Sequence, residues 1–172
     1  SNYYSYSKHL EMPANLRWRV VDVPELVAVG RALAREKRTT ALHFSSDFSE
    51  AASAEPSEVW ILAGATHYLG SAHPAILLQQ TKWRPKHILV NDLPLHWEED
   101  FVAVQNLGQG SFSPVHVYNK SNFVRSIERM GYILCDGWEA QERLMQTSCY
   151  PACSVLSASG LYFMRHPWVR LE

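Results

Sequence analysis

Residues 1–17 contain no glycine, although the first apolar run of the chain starts directly after them. A loop that cradles a phosphate or a cofactor needs glycine, because backbone amides must approach the ligand closely. No such loop stands ahead of this strand. Charge of one sign is missing as well: 16 Lys and Arg face 17 Asp and Glu, for a net charge of −1. With no basic run, that balance excludes the electrostatic footprint of a nucleic-acid or anionic-membrane binder. No apolar stretch approaches the length of a membrane span, and no signal-peptide pattern is present. Cysteine is sparse and odd in number, Cys135, Cys149 and Cys153, which suits a reducing cytoplasm better than a disulfide framework. Cys149 and Cys153 have no second pair, and His67 and His73 have no carboxylate or thiol partner at ligand spacing, so no metal site is expected. G-x-S-x-G and P-loop motifs are absent, which removes serine hydrolases and P-loop NTPases.

What is present is an ordinary globular composition, 47% hydrophobic and 19% charged over 172 residues. It suits one domain spanning 1–172. The terminal pair Leu171-Glu172 reads as a cloning remnant and is left out of the fold. "WRVVDVPELVAVGRALAREKR", from Trp18, reads as a strand ending at Asp22, then a helix opened by Pro24 with φ already set. Leu26, Val29 and Leu33 recur at helical spacing and mark its apolar stripe. A short strand over 40–44 ends in serines and Asp47, and "VWILAGATHYL" is a continuous apolar run ending at Gly64. A helix with Pro74 in its first turn follows, then "KHILVNDLPL", a strand finishing in Asn91 and Asp92. Such alternation predicts an α/β fold with a parallel sheet, whose strand C-terminal ends gather Asp22, Asp47, Gly64 to His67 and Asn91-Asp92 on one rim. Further on, "FVAVQNL" and "SPVHVYN" form a hairpin around "GQGS", "KSNFVRSIERM" is an amphipathic helix ended by Gly131, and "YILCDGW" and "GLYFMRH" are two late strands.

Three places could carry chemistry. Asp22 at a strand end is placed to hold a ribose hydroxyl, or simply to turn the chain or cap a helix. Asp47 has the same two readings, the functional one being an acceptor for an adenine amino group. In "GATHYLG", Gly64 and Ala65 leave room for a ligand against the backbone. His67 can act as base, acid or hydrogen-bond donor, or can pair with Tyr68 to anchor the loop.

Six blocks, "RWRVVDVPELVAVGRALA", "VWILAGATHYL", "KHILVNDLPL", "FVAVQN", "SPVHVYNKSNFVRSIERMGYIL" and "SGLYFMR", occur in an order that resembles a group of S-adenosylmethionine-dependent methyltransferases encoded near bacterial surface-polysaccharide genes. The resemblance runs from Tyr3 to Arg165. It implies a Rossmann-like class I methyltransferase sheet with its last strand antiparallel and inserted between neighbours. It implies S-adenosylmethionine as cofactor, with Asp22 and Val23 at the ribose, Asp47 and Phe48 at the adenine, and Ala63, Gly64 and Ala65 beside the methionine. His67 then resembles a catalytic residue and Tyr68 a substrate contact. Asn91-Asp92 stands where the group tends to have Asp-Arg. The group also carries a first strand and a glycine-rich loop ahead of the Tyr-Tyr segment, and "SNYYSYSKHL" resembles only the end of that loop and a helix. The expected domain is therefore N-terminally incomplete, lacking its first strand. It should bind the cofactor weakly by itself and self-associate as a homo-oligomer through exposed strand edges.

The function so implied is methyl transfer from S-adenosylmethionine to a small-molecule or sugar-like acceptor in the cytoplasm, without nucleic acid or membrane as partner. The alternative is a non-catalytic, degenerate Rossmann-like binding module. A nicotinamide-dependent oxidoreductase suits Asp22 equally but explains the late strands poorly.

Overall fold

A computed structural model describes residues 2–69, 73–140, 150–155 and 157–167. Cys149 and the pair Leu171-Glu172 lie outside the described residues. The chain divides into two compact units, Ser1–Pro56 and Ser57–Glu172.

In the first unit, helix α1 (Asn2–Tyr6) rests two tyrosines on one tryptophan: the rings of Tyr3 and Tyr6 lie 5.6 and 5.9 Å from that of Trp18. Trp18 begins strand β1 (Trp18–Val21), which pairs in parallel with β2 (Leu42–Ser45), Trp18 opposite Leu42 and Val21 opposite Ser45. Between them runs helix α2 (Pro24–Glu36), entered through an extended Val23 and the preset φ of Pro24. The apolar stripe of α2 is not the one that its spacing suggests. Val27 and Ala34 are buried, whereas Leu26 and Val29 stay exposed. Gly30 explains the rotation: a Cβ there would stand 2.4 Å from Phe44 Cε1, so the bare helix backbone lies directly on the β2 ring. The strand begins at 42 rather than 40 because the helix end occupies the intervening residues, with Arg38 at φ 53° and Thr39 N donating to Ala34 O. Helix α3 (Phe48–Ala54) follows, and Arg19 on β1 donates from Nη1 to its Ala51 carbonyl at 2.6 Å.

The second unit is organised around β4 (His87–His96), whose Ile88, Val90 and Leu93 are fully buried. β4 pairs in parallel with β3 (Val59–Ala63) and antiparallel with β8 (Ala158–Arg165). Its last residues, Leu95 and His96, pair in parallel with β6 (Ser111–Asn119). β4 therefore does not finish at Asn91-Asp92. A register shift between Val90 and Leu93, with Asp92 at φ 55°, bends the strand there and lets it serve β6 beyond the bend. β5 (Phe101–Gly108) and β6 form the expected hairpin, turning through Gly108, Gln109 and Gly110, all at positive φ. β7 (Tyr132–Ala140) pairs with β8, so the last strand runs antiparallel between β4 and β7, as the resemblance implies. Helices α4 (Pro74–Gln80) and α5 (Lys120–Glu128) bury Leu78, Phe123 and Ile127 in the core that β4 and β8 share. No helix among the described residues is long and apolar enough to cross a membrane.

Candidate functional site

Parallel pairing puts the two acidic candidates of the first unit at one end of its sheet. Asp22 follows β1 and Asp47 follows β2, and Asp22 N donates to Ser45 O at 3.3 Å. Asp22 is exposed, and its Oδ1 accepts from the Val23 amide at 2.9 Å. It does not cap α2. Asp47 is the N-cap of α3, with Oδ1 accepting from Glu50 N at 3.0 Å. Ser45 Oγ braces the same turn, accepting from the Asp47 amide at 3.1 Å. Phe48 opens α3 directly after that cap. Within this unit a cavity of about 350 Å³ lies along α2 and β2, lined among others by Arg31, Arg35, Arg38 and Phe44. None of the site residues expected from sequence lines it.

In the second unit the C-terminal end of β3 meets the bend of β4. Ala63 lies opposite Asn91, and Gly64 N donates to Asn91 O at 3.0 Å. Gly64 holds φ 66°, a conformation that side chains rarely adopt, and among the described residues only the Asp92 side chain, at 3.7 Å, would touch a Cβ there. The chain then folds into a single helical turn, Thr66–Tyr68. His67 is buried with its ring 4.1 Å from that of Tyr68. Tyr68 is exposed and donates from Oη to Gln105 Oε1 at 2.7 Å, tying the turn to the hairpin. Tyr118 donates to the Thr66 carbonyl at 3.4 Å. Thr66 Oγ1 is buried with no hydrogen-bond partner among the described residues, a group a ligand or water would satisfy. Among the described residues, no three His, Cys, Asp or Glu side chains gather as metal ligands.

Sequence reasoning placed Ala63 to Tyr68 together but missed what closes round them. Trp138 on β7 donates from Nε1 to Asn91 Oδ1 at 3.3 Å. It can reach because its cross-strand partner on β8 is Gly160. The signal for this was a lone Gly in a strand pattern, a usual mark of close approach.

No protein-family model and no curated protein sequence matches the chain. Solved structures do. A SAM-dependent methyltransferase from Methanosarcina mazei aligns over 86% of this chain and 81% of its own, with a TM-score of 0.59 at 9% identity. The glycopeptide N-methyltransferase MtfA, solved with S-adenosyl-L-methionine, aligns over 87% of this chain and 77% of its own, with a TM-score of 0.60 at 11% identity. The fold is that of the SAM-dependent methyltransferases. The same fold is shared by the [4+2]-cyclase SpnF, at a TM-score of 0.54 and 13% identity over 88% of this chain and 66% of its own. A class I methyltransferase fold therefore positions these strand ends without fixing the reaction.

Proposed function

We propose that the protein is an S-adenosylmethionine-dependent methyltransferase acting on a small-molecule or sugar-like acceptor in the cytoplasm. The observation that carries this is the end of β3, where Gly64 at φ 66° leads into a turn with a buried threonine hydroxyl that has no hydrogen-bond partner among the described residues, on a methyltransferase fold. The residues suit the cofactor. Asp22 uses one carboxylate oxygen on its neighbouring amide and is exposed, leaving the other for hydroxyl donors of a ribose. Val23 flanks it, and Asp47 with Phe48 takes the adenine side. Ala63, Gly64 and Ala65 offer a backbone with little side chain to the methionine side. Bound S-adenosylmethionine supplies a sulfonium that makes the methyl group electrophilic, so the protein's task is alignment. His67, held against Tyr68, orients the acceptor or takes its proton, and Tyr68 contacts the acceptor.

The resemblance to methyltransferases encoded near surface-polysaccharide genes is the reason for including a sugar-like acceptor. The second reading, a non-catalytic, degenerate Rossmann-like binding module, is favoured by Asp47, whose carboxylate already caps α3.

Calorimetric titration of S-adenosylhomocysteine into the full-length gene product tests the proposal. Saturable binding is expected, weakened by about 1–3 kcal/mol in Asp22→Ala, the usual range for hydrogen bonds to a charged acceptor. Gly64→Val should weaken it too. Absence of binding would remove the cofactor assignment, and binding untouched by both changes would remove the roles given to Asp22 and Gly64. Binding without methyl transfer to any sugar acceptor would favour the binding module.

A further inference from the structure

Arg31 and Arg35 stand on α2, and Arg38 lies just past its end. Spacings of four and three set such residues on one side of a helix. All three line the cavity of about 350 Å³ beside α2 and β2, and no carboxylate lines it. None of the three forms an ion pair among the described residues, although Arg17, Arg19, Lys37 and Lys86 each have a glutamate within 4.0 Å. Glu36, next to Arg35 in sequence, faces Lys37 instead. Like charges at these spacings repel. The dipole of a helix C-terminus attracts cations, which suits Arg35 and Arg38 but not Arg31, more than a turn before the end. The backbone holds the group in place. Arg31 Nη2 donates to Phe44 O at 2.8 Å, which fixes its guanidinium against β2. Arg38 keeps φ 53° where glycine is usual after a helix, so a cation is retained there at a backbone cost.

We propose that this cavity binds the phosphate group of a small anion, free or esterified, gripped by Arg31, Arg35 and Arg38. Guanidinium forks match phosphate oxygens two at a time. Three cations exceed what one carboxylate balances, whereas a phosphate monoester carries a charge of roughly −2 and a diphosphate more. Thr40 adds a hydroxyl to the lining, and Leu42 with Phe44 gives an apolar surface for an organic remainder. The volume suits a small molecule, for which cavities begin at about 300 Å³. None of Asp22, Asp47 and Gly64 lines the cavity, so the site stands apart from the cofactor assignment.

Calorimetric titration of pyrophosphate into the full chain at low chloride is the test. Saturable binding is expected, weakening as chloride rises. Arg38→Gly removes a guanidinium and gives φ 53° its favoured residue, so thermal melts should show the fold kept. Arg35→Gln changes an exposed side chain. Each should weaken pyrophosphate about tenfold, as loss of a hydrogen bond from a charged group does. Arg125→Gln, at an exposed arginine on α5, should leave affinity unchanged. Inorganic phosphate and phenyl phosphate separate the two sources. Tighter phenyl phosphate would assign an ester lying on Phe44, and affinity no better than that of inorganic phosphate would assign the free anion. No saturable binding of any of these probes, or wild-type affinity in both Arg35→Gln and Arg38→Gly, would overturn the proposal. So would citrate binding as tightly as pyrophosphate, which would remove the preference for phosphate. Equal weakening by Arg125→Gln would overturn it as well, by placing the anion elsewhere.

Discussion

The indole of Trp138 lies against Gly160, its partner on the neighbouring strand, so closely that a Cβ at 160 would stand 1.9 Å from Cε2. The ring thereby reaches over β8 to hydrogen-bond Asn91 on β4. Gly160→Ala must push the indole away and break that bond. Overpacking of this kind costs about 1–3 kcal/mol, which urea denaturation would measure. The tryptophan emission should shift in the native state. A variant as stable as wild type would show that the indole has room to move.

Tyr132, buried on β7, donates to the Pro85 carbonyl at 2.8 Å. Burial pushes its phenol up to about 12, partly offset by Arg165 and Arg84. The native state thus favours the neutral phenol, and the unfolded chain ionises first, near 10. Stability from this group is complete below pH 10 and is lost as pH rises towards 12. Tyr132→Phe should lose about 1–3 kcal/mol at neutral pH, because the Pro85 carbonyl is left buried without a donor. It should also lack the alkaline slope between pH 10 and 12 in urea melts.

His73 caps α4 through a ring nitrogen: Nδ1 accepts from Ala75 N at 3.0 Å. Burial against Tyr118 and Phe123 lowers its pKa below the ordinary 6.5, with Asp100 opposing the shift. A proton on Nδ1 would remove the acceptor. The unfolded chain therefore binds this proton first, and the stability it contributes is present above pH 6.5 and lost as pH falls through the lowered value. His73→Asn keeps a capping side chain without the titration. Thermal melts should show its stability flatter than wild type below pH 6.5, and parallel curves would refute the assignment.

Asp47 has a demonstrable structural role in capping α3. Asp47→Ala should cost about 0.5–2 kcal/mol, and Asp47→Asn should recover most of it. If Asp47 also accepts an adenine amino group, Asp47→Ala should weaken S-adenosylhomocysteine binding in calorimetry beyond what its stability loss explains. Equal affinity for the two variants and wild type would leave the residue as a cap alone.

How far the sequence reaches can be seen element by element. Pro24, the cap at Asp47, the glycines at 108 and 110, and the apolar runs at 59–63 and 87–90 act within a few residues of themselves. Backbone preference and hydrophobic period suffice to fix such elements, so helices, strands and the hairpin were legible. So was the clustering of Ala63 to Tyr68 at a strand end, because parallel α/β connection is a chiral rule that needs no contacts. Which stripe of α2 is buried was decided elsewhere, by Phe44 arriving against Gly30 from β2. The bend at Asp92, the bond from Trp138 to Asn91 and the reach of Tyr68 to Gln105 likewise join residues far apart in sequence. Close packing between such partners is set by the shapes that meet, and no spacing along the chain encodes it.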